Sequence, residues 1–163
     1  MSLDEATDPA SLIRQVHTAL SDLATIPFPT VPNPANCTKR ASVALIIRVR
    51  PDFLHCPSST SPPAEADLSQ PTQKQLDTFF SQPWSEQGDP EILFIKRAAR
   101  SGDRWTSHVA LPGGKRDPED ANDKATAIRE TMEEVGIDLS DEQALFVGNL
   151  PERVITTDWG NVP

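Results

Sequence analysis

The spacing of apolar residues predicts a helix close to the start of the chain. Residues 8–24 begin with Asp8, which fits the N-cap position, and Pro9, which fits the first turn of a helix. Leucine and valine then recur at helical spacing and predict a buried stripe: Leu12, Val16, Leu20 and Leu23. Residues 26–34 are rich in proline and predict an extended linker. Residues 1–40 are therefore interpreted as an N-terminal helix and linker.

Apolar runs in the rest of the chain predict strands around a further helix. Residues 41–49 form the clearest run, because the β-branched residues within it favour a buried strand. Further runs also favour strands: 91–97, 107–111 and 144–150. Pro112, Gly113 and Gly114 predict a sharp turn, and a helix follows at about 124–135. This order of elements predicts an α+β protein, arranged as an α/β/α sandwich.

Residues 51–90 break this pattern, because proline, serine, glutamine and acidic residues are frequent in them. The composition predicts a long insertion that is largely loop or disordered. One short helix fits around residues 73–80, QKQLDTFF. We expect the insertion to take no part in the core, since it offers little apolar surface to bury. The main domain is accordingly interpreted as residues 41–163, with this insertion inside it.

Composition and charge narrow the classes of partner. The 163 residues carry a formal net charge of −9, which argues against nucleic acid or an anionic membrane. A small anionic substrate remains compatible, because bound divalent cations reverse the local sign. Two cysteines, Cys37 and Cys56, are too few for a disulfide framework and indicate a reducing compartment. With no targeting signal evident, we expect a cytoplasmic protein, with mitochondria or peroxisomes as alternatives. The oligomeric state is left open.

The helix at 124–135 carries a crowded group of acidic residues on one face. Glu130 lies three residues before Glu133 and four before Glu134. Their carboxylates therefore point the same way and repel one another. Glu133 and Glu134 also lie at the negative end of the helix dipole. A solvated helix face is the ordinary interpretation of such a run. The repulsion, the dipole conflict and the preceding pair of glycines together favour a site for a positive ligand.

The opposite face of this helix is expected to lie in the core. Asn122 or Asp123 fits its N-cap, and Gly136 fits the left-handed position after its last turn. The predicted core stripe consists of four residues: Ala125, Ile128, Met132 and Val135.

Carboxylates without histidine or cysteine suit Mg²⁺ or Mn²⁺. Gly113 and Gly114 lack a Cβ atom, which lets their backbone approach a metal ion or a phosphate closely. Basic residues nearby in the sequence are candidates to neutralise phosphate charge, and we select Arg97 as a ligand-binding residue. The whole basic group is Lys96, Arg97, Arg100, Arg104, Lys115 and Arg116.

Residues 113–137, GGKRDPEDANDKATAIRETMEEVGI, resemble the Nudix box, commonly written G-x5-E-x7-R-E-U-x-E-E-x-G-U with U apolar. The matching residues are Gly114, Arg129, Glu130, Glu133, Glu134, Gly136 and Ile137. Thr131 stands where an apolar residue is usual, and Asp120 takes the place of the first glutamate. One extra residue separates Gly114 from Arg129, which is similar to the Nudix branch that cleaves coenzyme A.

That branch also tends to show a motif with His and Gly-Gln before the box. This chain has Trp105, Ser107 and His108 there instead. Trp105 either stacks on a base or packs at the domain edge. His108 either contacts substrate or bonds to backbone, and we favour the second interpretation.

The resemblance implies that Glu130, Glu133 and Glu134 hold Mg²⁺ or Mn²⁺, together with a backbone carbonyl of Gly113 or Gly114. It implies that Glu133, Glu134 and Arg129 are the catalytic residues, with Arg129 orienting the glutamates. Asp120, in place of the first glutamate, would support that arrangement.

The implied activity is metal-dependent hydrolysis of a diphosphate bond in a small nucleoside diphosphate derivative. Coenzyme A or an acyl-coenzyme A is the first choice of substrate. The alternatives are an ADP-sugar or dinucleotide hydrolase, and a catalytically silent Nudix module that binds a nucleotide or a protein. A Nudix domain normally continues past the strand that follows the box, so we expect this domain to be C-terminally incomplete at Pro163.

Overall fold

The computed structural model contains helices and short strands in the order expected of an α+β protein. It describes residues 8–26, 28–35, 37–52, 54, 69–99, 102, 107–139 and 144–155. Its elements are α1 (Pro9–Thr25), β1 (Ala41–Val43), β2 (Ile47–Arg50), α2 (Thr72–Phe80), α3 (Pro83–Glu86), β3 (Asp89–Ile92), β4 (Ile95–Lys96), β5 (Val109–Ala110), β6 (Gly113–Lys115) and α4 (Asp123–Val135). The predicted α+β class is confirmed.

The strands pair into small antiparallel sheets, namely β1 with β6, β2 with β3, and β4 with β5. The run at 41–49 is divided between β1 and β2, and the run at 91–97 between β3 and β4. A strand was predicted for 144–150, and this was wrong, since none of these residues lies in a strand. Apolar composition marks such segments, but pairing partners decide where a ladder starts and stops.

Gly113 and Gly114 do not form the predicted sharp turn. They begin β6, where Gly113 lies opposite Val43 and Gly114 lies opposite Ser42. Gly113 has φ +150°, and a Cβ atom there would collide with the Ser42 carbonyl oxygen and with Val43. Glycine is therefore needed for the close approach of β1 and β6, and the two glycines extend a strand.

The core brings α1, α2 and β2 together around four buried apolar residues: Ile13, Val49, Leu76 and Phe80. Leu76 and Phe80 are one helical turn apart and face the same way from α2. The expectation that 51–90 takes no part in the core was therefore wrong, because one short amphipathic helix supplies half of these residues. The short helix predicted at 73–80 is confirmed, whereas residues 53 and 55–68 lie outside the described residues.

Helix α1 lies over α2, and polar and aromatic contacts join them. His17 Nε2 lies 2.9 Å from Asp77 Oδ1, and the His17 ring stacks on Phe80 with centroids 4.8 Å apart. The predicted stripe of α1 was correct at Val16 and Leu20, which pack against this core, and wrong at Leu12, which is 39% exposed while its neighbour Ile13 is buried. The proposed division of the chain at residue 40 stays a prediction.

Helix α4 has the predicted ends but presents a different face to the strands. Asn122 Oδ1 accepts a hydrogen bond from the Ala125 N–H at 2.9 Å, and Gly136 has φ +71°. The predicted core stripe was wrong, because Met132 is 53% exposed while Thr126 and Thr131 are fully buried.

The midpoint between Thr126 and Thr131 lies about 150° around the helix axis from the centre of the predicted stripe. Helix α4 packs against β1 and β6 on that side. The carboxylate face is therefore turned toward the strands. This is possible because Arg129 and the Gly113 N–H donate hydrogen bonds to its carboxylates.

Candidate active site

Arg129 lies at the centre of the acidic group on α4. Its Nη1 atom donates to Glu130 Oε1 at 3.1 Å and to Glu133 Oε1 at 3.4 Å. Its Nη2 atom also donates to the Lys115 carbonyl oxygen at 3.0 Å. Arg129, which lies on the same helix, thus supplies part of the positive charge expected beside the crowded glutamates. One guanidinium links them to strand β6.

Asp120 fixes the other edge of the same guanidinium. Arg129 Nε and Nη2 donate to the two Asp120 oxygens at 3.1 and 2.9 Å, and the Asp117 N–H donates to Asp120 at 2.9 Å. The Asp120 side chain is 7% exposed. The guanidinium of Arg129 holds the pKa of Asp120 well below its usual range, and Asp120 in turn raises the pKa of Arg129. Asp120 therefore remains ionised and orients Arg129.

Strand β6 contacts two members of the acidic face, Glu134 and Glu130. The Gly113 N–H donates to Glu134 Oε2 at 2.8 Å. Gly114 lies directly against Glu130, and a Cβ atom at Gly114 would collide with the Glu130 carboxylate. The two glycines therefore have separate roles, one as a hydrogen-bond donor and one as a surface that leaves room for a carboxylate.

Thr131, at the usual apolar position of the box, is fully buried. Its hydroxyl donates to the Ala127 carbonyl oxygen at 2.7 Å within the helix. Because its hydrogen bond is satisfied locally, the side chain can present its methyl group to the interior. The departure from the usual residue type is thereby accommodated.

The chemistry of the donors suits a divalent cation. Glu130, Glu133 and Glu134 offer oxygen ligands only, and each contact to Arg129 or Gly113 uses one oxygen of its carboxylate. Gly114 also leaves space beside Glu130 that a larger residue would fill. Within the described ranges, however, no group of three or more His, Cys, Asp or Glu residues is arranged to hold a metal ion. The carboxylates fit the cation by type, and their assignment as ligands stays a proposal.

The described members of the predicted basic group have separate environments. Arg97 follows β4, and its backbone N–H donates to the His108 carbonyl oxygen at 3.0 Å. Arg116 donates to the carbonyl oxygens of Asp120 and Ala121 at 3.2 and 3.1 Å, so it supports the loop before α4. Of the other members, Lys96 and Lys115 are exposed, and Arg100 and Arg104 lie outside the described residues. Trp105, which is not part of the basic group, also lies outside the described residues. The assignment of Arg97 to ligand binding stays a prediction.

Sequence reasoning missed Arg40, which contacts the start of α4. Its guanidinium donates to both Asp123 oxygens, at distances down to 2.7 Å, and to Glu152 Oε2 at 2.8 Å. These carboxylates raise the pKa of Arg40, with the Asp123 hydrogen bond as the largest cause. The partners are 83 and 112 residues away along the chain, so no local pattern indicated them.

The network lies within a stretch that matches a known family. Residues 83–160 match the family model of the NUDIX domain, so the chain contains a Nudix domain. The predicted resemblance is thereby confirmed. Members of this family generally use divalent metal ions.

Several curated proteins are similar to parts of the chain. An uncharacterized protein of Schizosaccharomyces pombe is 46% identical over 125 residues, which are 77% of this chain and 32% of that protein. A mitochondrial coenzyme A diphosphatase of Mus musculus is 42% identical over 55 residues, 34% of this chain and 26% of that enzyme. A peroxisomal coenzyme A diphosphatase of Mus musculus is 47% identical over 55 residues, 34% of this chain and 22% of that enzyme.

The matched stretches thus span about a third or less of the length of these relatives. No solved structure matches the chain. In the part of the chain that the structure describes, no helix is both long and apolar enough to cross a membrane.

Proposed function

We propose that this protein is a divalent-metal-dependent diphosphatase that hydrolyses coenzyme A or an acyl-coenzyme A. The observation that carries the proposal is the network in which Arg129 and β6 contact three glutamates of α4. This network lies inside the stretch that matches the NUDIX domain. The substrate class is supported by the names of the two mouse relatives.

The contacts of these residues support the following roles. Glu130, Glu133 and Glu134 would hold the cation, which would activate water and offset charge on the phosphoryl oxygens. Arg129 keeps Glu130 and Glu133 in position, while the Gly113 N–H keeps Glu134 in position.

Glu133 has the features required of a proton acceptor. Its side chain is 59% exposed, and its contact to Arg129 is the longest in the network at 3.4 Å. A carboxylate that is open to solvent and loosely held can approach an attacking water. We therefore assign the acceptance of the proton from that water to Glu133, through the carboxylate oxygen that would not bind the cation.

The identity of the cation and the compartment also belong to this proposal. Oxygen ligands suit Mg²⁺ and Mn²⁺ equally in type, and titration of turnover with each ion distinguishes them. The names of the two mouse relatives favour mitochondria or peroxisomes over the cytoplasm for this protein. Imaging of the tagged protein in its own cells decides among these compartments.

A panel of coenzyme A, ADP-ribose and NADH, each with Mg²⁺ and with Mn²⁺, tests the substrate. We expect the fastest metal-dependent cleavage with coenzyme A. Faster cleavage of ADP-ribose or NADH would replace this substrate assignment with the sugar or dinucleotide alternative.

A catalytically silent Nudix module is the second candidate. The observation that favours it is that the described residues include no ready group of three metal-binding side chains. Absence of metal-dependent turnover with all three compounds, together with binding of one of them, would establish that candidate.

A further inference from the structure

Arg40 lies where three separate parts of the chain meet. Its guanidinium contacts Asp123 in the first turn of α4 and Glu152 beyond that helix. It also donates to the Val31 carbonyl oxygen and to Asn33 Oδ1 in the proline-rich linker, both at 3.0 Å. The side chain is 21% exposed, so these bonds are partly shielded from solvent. The linker, the helix and the following segment are therefore joined by one side chain.

The helix residue that Arg40 contacts lies in line with the acidic group. Asp123 and Glu130 are seven residues apart, which places them within about 20° of each other around the helix axis and about 10 Å apart along it. Glu134, at the other end of α4, is held by the Gly113 N–H. The same face of the helix is thus attached near both of its ends.

Both attachments come from one pair of strands. Arg40 immediately precedes β1, and its carbonyl oxygen accepts a hydrogen bond from the Arg116 N–H at 3.0 Å. Gly113 begins β6, which pairs with β1. The β1–β6 pair therefore holds α4 at Asp123 and at Glu134, which limits rotation of the helix against the strands. Loss of the Arg40 contact leaves the start of α4 with the longer contact from Arg116 Nη1 to Asp123 Oδ1 at 3.4 Å. The first turn can then shift, although Arg129 still donates to the Lys115 carbonyl oxygen.

We propose that Arg40 is a positioning residue, which sets the orientation of α4 and so of the glutamates that would bind the cation. This inference rests on the proposed function and adds a residue that lies outside the stretch matching the NUDIX domain. Arg40 does not touch the glutamates itself. Its effect reaches them through Asp123 and the body of the helix.

The test compares Arg40→Ala, Arg40→Lys and Asp123→Asn with the control Arg48→Ala. Arg48 also pairs with a carboxylate, Glu91, but its side chain is 73% exposed and it lies on β2. Lysine keeps the charge of Arg40 but not its fork of donors, so it can engage only part of the cluster. Mn²⁺ affinity measured by electron paramagnetic resonance and amide hydrogen exchange along the chain are the two readouts.

We expect Arg40→Ala to weaken Mn²⁺ binding about 10-fold, as is typical when support for metal ligands is lost. Arg40→Lys and Asp123→Asn should each fall between wild type and Arg40→Ala. Exchange should rise in α4 while the amides of α2 keep their protection. The control should leave Mn²⁺ affinity and exchange in α4 unchanged.

Equal loss of protection in α2 and α4 would show that Arg40 only stabilises the fold, and so would Mn²⁺ affinity that stays at the wild-type value. If Arg40→Ala does not fold, the Mn²⁺ affinity and the α4 exchange of Arg40→Lys and Asp123→Asn decide whether Arg40 positions the helix or only stabilises the fold. Wild-type protein that does not bind Mn²⁺ contradicts the proposed function, whereas the exchange of α4 then still decides the role of Arg40.

Discussion

Alanine substitutions at Gly113 and Gly114 should have opposite consequences, although the two residues are neighbours. A Cβ atom at Gly113 meets the backbone of Ser42 and Val43, which cannot move without separating β1 from β6. The three atoms nearest to a Cβ atom at Gly114 all belong to the carboxylate of Glu130, which is the far end of a flexible side chain. We therefore expect the first change to affect folding and the second to affect the site.

The magnitudes follow from these contacts. Gly113 has φ +150°, where a residue with a Cβ atom costs about 1–3 kcal/mol, and the steric overlap adds about 1–3 kcal/mol. The sum, about 2–6 kcal/mol, is a large part of the stability of an ordinary domain. Gly114→Ala should change the free energy of unfolding by less than about 1 kcal/mol, because a new rotamer of Glu130 relieves the contact.

The effect on activity should differ from the effect on stability, because Gly114→Ala changes the free energy of unfolding little but displaces the carboxylate of Glu130. Displacing the Glu130 carboxylate by about 1 Å should lower metal-dependent turnover about 100-fold in Gly114→Ala. Urea unfolding monitored by tryptophan fluorescence measures the stability of both variants, and coenzyme A hydrolysis with saturating Mg²⁺ measures turnover. Gly114→Ala with wild-type turnover, or destabilised as much as Gly113→Ala, would refute the reasoning.

Three further substitutions test other parts of the account. Phe80→Ala should lower the free energy of unfolding in urea by about 3–5 kcal/mol, because the buried Phe80 ring contacts the rings of His17 and Phe79. A smaller loss would argue against the α1–α2 core. Thr131→Val should change the free energy of unfolding by less than about 1.5 kcal/mol, because the change removes one hydrogen bond within the helix, and a larger loss would show an unrecognised polar role. Asp120 has a lowered pKa in the folded protein, so its contribution to stability is present above about pH 4 and is lost as pH falls further. Asp120→Asn should therefore flatten the acid side of the stability–pH curve, and an unchanged curve would contradict the pairing with Arg129.

The acidic helix was largely predictable because its signals are local. The cap at Asn122, the left-handed Gly136 and the spacing of Arg129 from the glutamates all lie within one short stretch. Each of these features acts through neighbouring backbone and side chains. The sequence therefore predicted the helix and the identity of its acidic group.

The orientation of that helix and its supports were not predictable in the same way. An apolar stripe containing Met132 indicated one face as the core, but the hydrogen bonds of Arg129 and Gly113 allow the carboxylate face to turn toward the strands. Arg40 reaches its partners across 83 and 112 residues. Such long-range pairings depend on the assembled fold and leave no periodic pattern.

The core role of α2 was missed for a related reason. The short helix at 73–80 was predicted, but the proline-rich composition of 51–90 as a whole argued against a core role for it. Leu76 and Phe80 are sufficient to join α2 to α1 and β2 because they occupy one face. The spacing of Leu76 and Phe80 within that helix, taken by itself, indicates a buried face.

Metal-dependent cleavage of coenzyme A by Glu133→Gln and Glu134→Gln tests the central claim most directly. Glu86→Gln is the matched control, since Glu86 is an exposed glutamate on α3 and no contact connects it to the acidic group of α4 in the described structure. Each change in the acidic group should lower turnover at saturating Mg²⁺ by at least about 100-fold while leaving the unfolding transition unchanged or slightly raised. Turnover of either variant within a fewfold of wild type and of Glu86→Gln would contradict the assignment of these glutamates.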